Sequence, residues 1–345
     1  MGGWRSAVDR ALEASVVGSF TRIGHAVRRR TDAWDDHATA GRGRHVLVTG
    51  GNSGIGFATA VALLVRGARV TVTTRDRERG ERARAALLDA AARGEHVTER
   101  DSLRERLAVE LLDLDRLDSV RMLAEHLDGG DPIDIVVHNA GAMFAQRSLT
   151  EDGLERTWQV HAVAPFLLTM LLVPRLAVRE DARVVWVSSG GMYTERLVVR
   201  RVDSPGRYRP SVAYARAKRA QVELVAELHR RLGGRTGIAF HAMHPGWART
   251  PGIARSLPTF DRIVGPLLRT PAQGADTIVH LALAPRSGDG DGDGDDPTAG
   301  GRFWADRRPR PTDRLARTAC EASEREALWE RLMTDARIAR PTGPV

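Results

Sequence analysis

Residues 46–56 read VLVTGGNSGIG, an apolar run followed by a glycine-rich turn. The β-branched run at 46–48 predicts a short buried strand, and the residues from 55 to 66 have the apolar spacing of a helix. Between them the glycines predict a turn with no Cβ atoms in the way. A helix N-terminus after such a turn favours anion binding, because free N–H groups and the helix dipole point at the ligand. The spacing GxxxGxG leaves a plain tight turn as the alternative.

Composition limits the classes of protein that this chain can belong to. Of its 345 residues 42% are hydrophobic, enough for one large domain or two small ones. The net charge of +8 comes almost entirely from arginine, since Lys218 is the sole lysine among 52 basic residues. The arginines are scattered among 44 acidic residues, so we expect a solvated surface and no nucleic-acid partner. Cys320 is the only cysteine, which excludes an internal disulfide or a cysteine-based metal site, and we expect no metal.

The N-terminal part offers two interpretations. Residues 1–43 precede the first predicted strand, and their apolar spacing predicts helices over 4–17 and 20–30. They could be a helical extension packed on the domain, or a basic amphipathic arm at a membrane surface, which a thin apolar face disfavours. The N-terminus lacks the apolar core of a signal peptide, and the apolar run at 165–173 is too short to span a membrane. We therefore expect a soluble, cytoplasmic protein.

Downstream of residue 56, apolar strands alternate with helical segments, which is typical of a parallel sheet covered by helices on both faces. We predict an α/β fold, a doubly wound parallel sheet in one domain over 44–310. An N-terminal helical extension over 1–43 precedes it, and a C-terminal helix and tail over 311–345 follow. The predicted strands are 46–48, 69–74, 107–112, 133–138, 183–188, 237–243 and an edge strand at 302–305. The predicted helices are 57–66, 77–93, 115–127, 154–176, 212–232 and 321–337.

Two segments interrupt this alternation. Residues 94–106 are polar and look inserted before the third strand. Residues 286–300 are rich in glycine and aspartate, and we expect a disordered acidic loop there. The segment 289–294 resembles the start of a calcium loop, but Gly300 stands where the last carboxylate of such a loop would be.

The end of the second strand indicates the cofactor. A carboxylate at this place holds a ribose 2′-hydroxyl, whereas an arginine accommodates a 2′-phosphate. Here Thr74 ends the strand and Arg75 follows, so the sequence favours NADP(H) over NAD(H). Asp76 next to it weakens that preference, and a merely solvated Arg75 is the alternative.

Tyr214 and Lys218 share one face of a predicted helix, downstream of Ser188 and Ser189 at the end of the fifth strand. A phenol is a poor base at neutral pH, but a neighbouring ammonium and an oxidised nicotinamide would lower its pKa. A serine hydroxyl can hold a carbonyl oxygen, so these groups suit proton transfer coupled to hydride transfer. Chance is the alternative for so short a motif. The lone lysine in an arginine-rich chain nevertheless indicates that position 218 needs the compact amine of lysine, whose pKa the surroundings can shift, and not a guanidinium group.

These residues resemble the short-chain dehydrogenase/reductase family over residues 44–305. The shared motifs are TGGNSGIG at 49–56, NAG at 139–141, SS at 188–189, YARAK at 214–218 and HPGW at 244–247. The resemblance implies a Rossmann-type fold, a tyrosine acid/base, a lysine on the nicotinamide ribose and a serine that orients the substrate. The implied catalytic residues are Tyr214, Lys218 and Ser189, with Ser188 as the alternative to Ser189. The implied cofactor-binding residues are Gly50, Asn52, Ser53, Gly54, Ile55, Gly56, Arg75, Asp113, Asn139, Ala140, Gly141, Tyr214, Lys218, Pro245 and Gly246.

One position departs from the family pattern. The family usually has an asparagine in the long helix, where it holds a water of a proton relay, and His161 occupies that place. Histidine could hold the water, shuttle the proton itself or be a structural replacement in a weakened enzyme. We therefore include His161 among the candidate catalytic residues.

Further motifs resemble the subgroup of the dehydrogenase/reductase member twelve-like proteins and the retinol dehydrogenases, namely SSGGM at 188–192, QGAD at 273–276 and GRFWADR at 301–307. In the family, the region matching 247–270 covers the substrate. Its apolar residues suggest a hydrophobic substrate, or they only pack a lid onto the core; they are Ile253, Leu257, Phe260, Ile263, Val264 and Leu267. Pairing through the helices matching 154–176 and 212–232 is common in the family, which implies a homo-oligomer.

The sequence thus predicts an NADP(H)-dependent oxidoreductase that interconverts a carbonyl and an alcohol on a hydrophobic small molecule, with Tyr214 as the acid/base. The alternative is a nucleotide-holding scaffold or sensor that kept the fold and lost useful catalysis. His161 permits this alternative, and the retention of Ser189, Tyr214 and Lys218 argues against it.

Overall fold

A single sheet forms the centre of the structure, a computed structural model that describes residues 3–35, 40–94, 100–250, 252, 262, 264–285 and 296–339. Its strands are β1 His45–Val48, β2 Arg69–Thr74, β3 Leu107–Leu111, β4 Ile135–His138, β5 Arg183–Val187, β6 Ala239–Met243, β7 Arg302–Ala305 and β8 Arg308–Pro309. They lie in the order β3-β2-β1-β4-β5-β6-β7-β8, and only the β7–β8 pair is antiparallel. The strand order reverses between β1 and β4, as in doubly wound nucleotide-binding folds. The predicted α/β fold with a doubly wound sheet is confirmed.

Helices account for most of the remaining described residues. They are α1 Gly3–Glu13, α2 Val16–Phe20, α3 Arg22–Thr31, α4 Gly54–Val65, α5 Arg77–Ala92, α6 Arg100–Arg106, α7 Leu117–Asp128, α8 Arg156–Leu176, α9 Pro210–Leu228, α10 Pro271–Leu283 and α11 Ala322–Asp335. A π-helical turn, Gln159–Val163, lies inside α8, and another, His229–Gly233, follows α9. The predicted helices downstream of residue 56 are confirmed, with ends shifted by a few residues.

The strands divide their side chains between two hydrophobic clusters, because successive residues of a strand point to opposite faces. Val46 and Val48 pack on the face covered by α4, α5 and α10, whereas Leu47 packs on the face covered by α7, α8, α9 and α11. Val136 and its neighbour Val137 alternate in the same way. Burial on both faces explains the continuous apolar strands of the sequence.

The prediction that 302–305 is an edge strand is wrong, because β8 continues the sheet beyond β7. The chain reverses through Asp306 and Arg307, whose φ angles of 51° and 58° lie in the left-handed region. The polar segment 94–106 contains the helix α6, while residues 95–99 lie outside the described residues. Residues 286–295 also lie outside them. Of the loop that is predicted to be disordered, residues 296–300 are described, and the carbonyl of Pro297 accepts a hydrogen bond from His241 Nε2.

The N-terminal extension forms three helices where the sequence predicts two. Ser15 and Thr21 interrupt the pattern, because their hydroxyls accept hydrogen bonds from the N–H groups of Gly18 and Ile23 and thereby start α2 and α3. Phe20 belongs to the main hydrophobic cluster. The extension therefore packs on the sheet domain, as one of the two interpretations predicts. The boundaries proposed at residues 43 and 310 stay predictions.

One described helix, α8, is long and apolar enough to cross a membrane by length and composition. The apolar run 165–173, which is predicted to be too short to span a membrane, lies within this longer helix. Within the fold 72% of its apolar window is buried, as in the core helix of a soluble protein.

Candidate active site

The candidate site is a cavity of about 560 Å³ at the carboxyl ends of β1 to β6. Open α/β sheets bind their ligands at this edge, next to the point where the strand order reverses. Its wall includes Ser189 and every predicted cofactor-binding residue: Gly50, Asn52, Ser53, Gly54, Ile55, Gly56, Arg75, Asp113, Asn139, Ala140, Gly141, Tyr214, Lys218, Pro245 and Gly246. His161 lies outside the wall. Among the wall residues that the sequence analysis missed are Arg79, Met143, Phe144 and Thr250.

The glycine-rich turn is held close to the end of β4. Gly50 has a φ of 68°, and a Cβ there would lie 2.9 Å from Ala140 Cα. A Cβ on Gly56 would lie 2.3 Å from Asn139 Nδ2, so a side chain at either position would push the two loops apart. Helix α4 starts at Gly54, and its N-cap residue Ser53 makes no side-chain cap bond. Its first N–H groups are thereby left for an anion.

Asn139 and Thr49 fasten this turn, a role that the sequence analysis did not assign. Nδ2 of Asn139 donates to the carbonyls of Thr49 at 2.9 Å and Gly50 at 3.3 Å. In return, the backbone N–H groups of Asn139 and Ala140 donate to Thr49 Oγ1 at 3.0 and 3.1 Å. The amide of Asn139 therefore holds the shape of the cavity floor.

At the rim of the cavity, Arg75 is exposed directly after β2. Asp76 caps α5, since its carboxylate accepts a hydrogen bond from the backbone N–H of Arg79 at 2.8 Å. The same carboxylate lies 3.1 Å from Arg79 Nε. The negative charge that weakens the predicted NADP(H) preference is thus engaged by a helix N-terminus and an arginine. The helical turn from Asp76 to Arg79 brings a second guanidinium to the rim.

The predicted catalytic groups meet at the cavity wall. Tyr214 and Lys218 lie one turn apart on α9, and Lys218 Nζ is 5.5 Å from the centre of the Tyr214 ring. Nζ of the buried Lys218 donates to the Val187 carbonyl at 2.8 Å. Ser189 is hydrogen-bonded to the Tyr214 side chain. The hydroxyl of Ser188 donates to the Lys218 carbonyl at 2.8 Å, so the geometry places Ser189, and not Ser188, beside the phenol.

Burial disfavours the charged forms of Tyr214 and Lys218. It raises the pKa of Tyr214 to about 12, although the hydrogen bond with Ser189 acts in the opposite direction. It lowers the pKa of Lys218 to about 7. The lowering of the Tyr214 pKa by Lys218 together with an oxidised nicotinamide stays a prediction, because it includes the bound cofactor; in the structure itself, burial has the largest effect on the Tyr214 pKa. The phenol is protonated at neutral pH and can act as a proton donor.

His161 lies behind Tyr214 in the π-helical turn of α8. The two rings meet edge to face, with centres 5.2 Å apart. Burial, and secondarily the nearby Lys218, hold the pKa of His161 well below its usual value, so the imidazole is neutral. Its Nε2 is 2.9 Å from the Ala142 carbonyl, and a donated hydrogen bond there leaves Nδ1 as an acceptor. Nδ1 is buried and has no hydrogen-bond partner within the described part of the chain.

The lid predicted over 247–270 is only partly covered by the structure. Ile253, Leu257, Phe260 and Ile263 lie outside the described residues. The two ends of the segment are joined, because the N–H of Arg269 donates to the Trp247 carbonyl at 2.7 Å.

Comparison with known proteins identifies the family. The sequence model of the family described as short chain dehydrogenase matches residues 44–259. The chain belongs to the short-chain dehydrogenase/reductase family. It is therefore an oxidoreductase of a family that binds NAD or NADP, and the predicted membership is confirmed.

Two relatives support the predicted subgroup. Dehydrogenase/reductase SDR family member 12 from Bos taurus is 36% identical over 332 residues, which cover 95% of this chain and 96% of that protein. Retinol dehydrogenase 14 from Mus musculus is 37% identical over 256 residues, which cover 70% of this chain and 74% of that protein.

Two solved structures share the short-chain dehydrogenase/reductase fold of this chain. An uncharacterized protein from Mycobacterium Paratuberculosis has a TM-score of 0.66 and 28% identity, covering 89% of this chain and 99% of that one. A short chain dehydrogenase from Shigella flexneri 2a, complexed with NADP, has a TM-score of 0.53 and 25% identity, covering 71% of this chain and 92% of that one.

The residues present fit a nicotinamide dinucleotide. The glycines at 50 and 56 let the turn lie close against the end of β4, and the first turn of α4 offers N–H groups to the pyrophosphate. Arg75 and Arg79 lie at the rim near the end of β2, where the adenosine ribose is held in such folds. The Ser189, Tyr214 and Lys218 side chains lie at the same cavity, next to β5 and α9.

Proposed function

We propose that this enzyme uses NADP(H) to interconvert a carbonyl and an alcohol on a hydrophobic substrate, with Tyr214 as the acid/base. The observation that carries the proposal is the contact of Tyr214 with Ser189 and Lys218 at one wall of the cavity. Three groups then act at one place on the substrate: the phenol of Tyr214, the hydroxyl of Ser189, which can hold an oxygen atom, and the amine of Lys218.

Each side chain has a definite task in this proposal. The bound cofactor supplies or accepts the hydride. Ser189 holds the substrate oxygen, and the Tyr214 hydroxyl donates its proton to that oxygen during reduction and takes it back during oxidation. Lys218, anchored on the Val187 carbonyl, would hold the nicotinamide ribose. The pKa of about 12 keeps Tyr214 protonated at neutral pH, which suits the reductive direction.

The preference for NADP(H) is supported by the charges at the rim. Arg75 and Arg79 can both face a 2′-phosphate there, whereas Asp76 is engaged in capping α5. A phosphate carries more negative charge than a ribose hydroxyl, and guanidinium groups bind it well. The solved relative from Shigella flexneri that contains NADP is in line with this preference.

A hydrophobic substrate is supported by the wall beyond Tyr214. Met143, Phe144 and Val160 line the cavity there, and Val160 comes from α8. Retinol dehydrogenase 14 is among the relatives, and its name refers to an apolar alcohol. We propose an apolar aldehyde, ketone or alcohol as the substrate class.

His161 bears on the alternative, an enzyme that has become a nucleotide-holding scaffold or sensor. One observation is compatible with this alternative. Gln221 Nε2 donates a hydrogen bond to the backbone carbonyl oxygen of His161 at 2.6 Å, so this oxygen already has a partner within the protein. In the catalytic proposal, His161 holds the Tyr214 ring by its edge contact and offers Nδ1 as a buried hydrogen-bond acceptor. His161→Asn distinguishes the two, since gain of turnover would favour the weakened enzyme and loss would favour a working role.

The test is NADPH and NADH titration by nicotinamide fluorescence, followed by turnover of apolar and short polar carbonyls and alcohols. Tyr214→Phe should abolish turnover and leave NADPH binding unchanged. Arg75→Asp should weaken NADPH binding far more than NADH binding. Unchanged turnover by Tyr214→Phe would refute the acid/base role, and equal losses for both cofactors would refute the role of Arg75.

The location and the assembly of the enzyme are also proposed. We propose a cytoplasmic enzyme, because the apolar helix α8 is a buried core helix. A homo-oligomer paired through α8 and α9 stays a prediction, and peripheral membrane contact of α1 to α3 stays the disfavoured alternative. Cell fractionation and light scattering of the purified chain test them.

A further inference from the structure

The ring of Phe20, at the end of α2, lies directly against the loop that carries Ser189. A Cβ added to Gly190, the residue after Ser189, would lie 2.2 Å from Phe20 Cε1. Gly190 does not adopt a left-handed conformation, so its backbone alone would accept alanine. The glycine is thus required by the ring from the N-terminal extension.

The same ring supports the turn on the other side of the cavity. It stacks on Trp247 with ring centres 5.4 Å apart and planes at 19°, and its centre lies 5.1 Å from that of His244. The backbone carbonyl of Phe20 accepts a hydrogen bond from the Trp247 N–H at 2.7 Å. Between His244 and Trp247 lie two residues of the cavity wall, 245 and 246. One side chain therefore touches both loops that flank the proposed nicotinamide end of the site.

A buried ionic cluster holds α2 and α3 in this place. Arg28, Asp306 and Arg269 are each 1% exposed. Asp306 accepts hydrogen bonds from Arg28 at 2.7 Å and from Arg269 at 2.6 and 2.9 Å. Arg269 also donates to the carbonyls on both sides of Phe20, those of Ser19 at 3.1 Å and Thr21 at 3.2 Å. Since unpaired buried charges are very costly, removal of the extension would leave this carboxylate and guanidinium poorly compensated.

We propose that the N-terminal extension is a working part of the active site, in which Phe20 is the positioning residue that sets Ser189 against Tyr214. The proposal rests on the proposed function of these two residues. It goes beyond that function by assigning an active-site task to a segment that lies before the nucleotide-binding unit in the chain. The extension is then more than a stabilising cover, because displacement of the Phe20 ring moves the substrate-holding hydroxyl.

The test is a double-mutant cycle of Phe20→Ala and Gly190→Ala in the full chain. Each single change should lower kcat for the best carbonyl substrate by on the order of 10- to 100-fold, the loss expected when a reacting group is misplaced. The double variant should recover much of the loss of Gly190→Ala, because the new methyl group then occupies the space left by the ring. Phe20→Leu should retain most activity.

The matched control is Phe166→Ala. Phe166 is buried, as is Phe20, but its ring packs on Trp329 of α11, with ring centres 5.3 Å apart. It should lose stability and keep kcat in the folded fraction. NADPH binding should stay within a few-fold of wild type in all variants, so the loss falls on kcat. Hydrogen exchange of the peptide 188–194 should accelerate in Phe20→Ala and not in Phe166→Ala, a readout that needs no substrate.

Strictly additive losses in the cycle, or equal loss of kcat in Phe166→Ala, would overturn the proposal. Unchanged exchange of the peptide 188–194 in Phe20→Ala would overturn it as well. Failure of the proposed function is a separate outcome, since Tyr214→Phe would then keep full turnover whatever the cycle shows.

Discussion

The ionisation of Lys218 can be measured without interference, because it is the only lysine of the chain. Its side chain is 2% exposed, and Nζ donates to the Val187 carbonyl at 2.8 Å. Burial lowers its pKa from 10.5 to about 7. At about 1.4 kcal/mol for each pKa unit, the folded protein disfavours the charged amine by about 5 kcal/mol relative to water.

This shift predicts a pH dependence of stability with a definite sign. The folded pKa lies below the unfolded pKa, so between about pH 7 and pH 10.5 the unfolded chain binds one proton more than the folded chain. Stability contributed by this group therefore rises with pH in that window and is level below it. We compare wild type with Lys218→Met, which has a similar length and no charge. The difference in the free energy of unfolding should move in favour of wild type by about 2 kcal/mol from pH 7 to pH 9.

Two assays check this prediction. Labelling with ¹⁵N-lysine should produce a single Nζ resonance, whose shift with pH reports the pKa directly. Urea unfolding of wild type and Lys218→Met at pH 7 and pH 9 reports the energy, and every other titrating group cancels in the difference. A folded-state pKa near 10, together with equal stability differences at both pH values, would refute the assignment of a desolvated amine.

Two further substitutions address the cradle and the ionic cluster. Gly56→Ala places a methyl group 2.3 Å from Asn139 Nδ2, so we expect NADPH binding to weaken by at least about tenfold in the fluorescence titration; binding within twofold of wild type would contradict the cradle geometry. Asp306→Asn preserves a residue that tolerates the left-handed φ of 51° but removes the charge between Arg28 and Arg269. Urea unfolding should show a loss of about 3–5 kcal/mol, and a loss below about 1 kcal/mol would show that the cluster does not stabilise the fold.

Much of the fold could be predicted because its signals are local. Strands buried on both faces need continuous apolar runs, so β2 was predicted with its exact ends, 69–74. The predicted cofactor residues all reach one cavity, although they come from distant parts of the chain. The reason is general, since the carboxyl ends of parallel strands meet at one edge of a sheet.

The sequence predictions fail where the outcome depends on atoms of residues that are far apart in the chain. Burial raises the pKa of Tyr214 to about 12, an effect that the sequence analysis does not predict. The sequence predicts an edge strand at 302–305, but the left-handed Asp306 returns the chain to add another strand. Desolvation depends on the three-dimensional neighbourhood, and no local pattern records it.

Most strands and helices of the sheet domain, the glycine cradle and the identity of the groups at the strand ends follow from the sequence alone, because short-range periodicity and backbone sterics encode them. Only the tertiary structure decided which serine faces Tyr214, that Asp76 caps a helix, and that Phe20 lies against Gly190. Such contacts join residues far apart in the chain, and close packing selects them only after the sheet and its covering helices have formed.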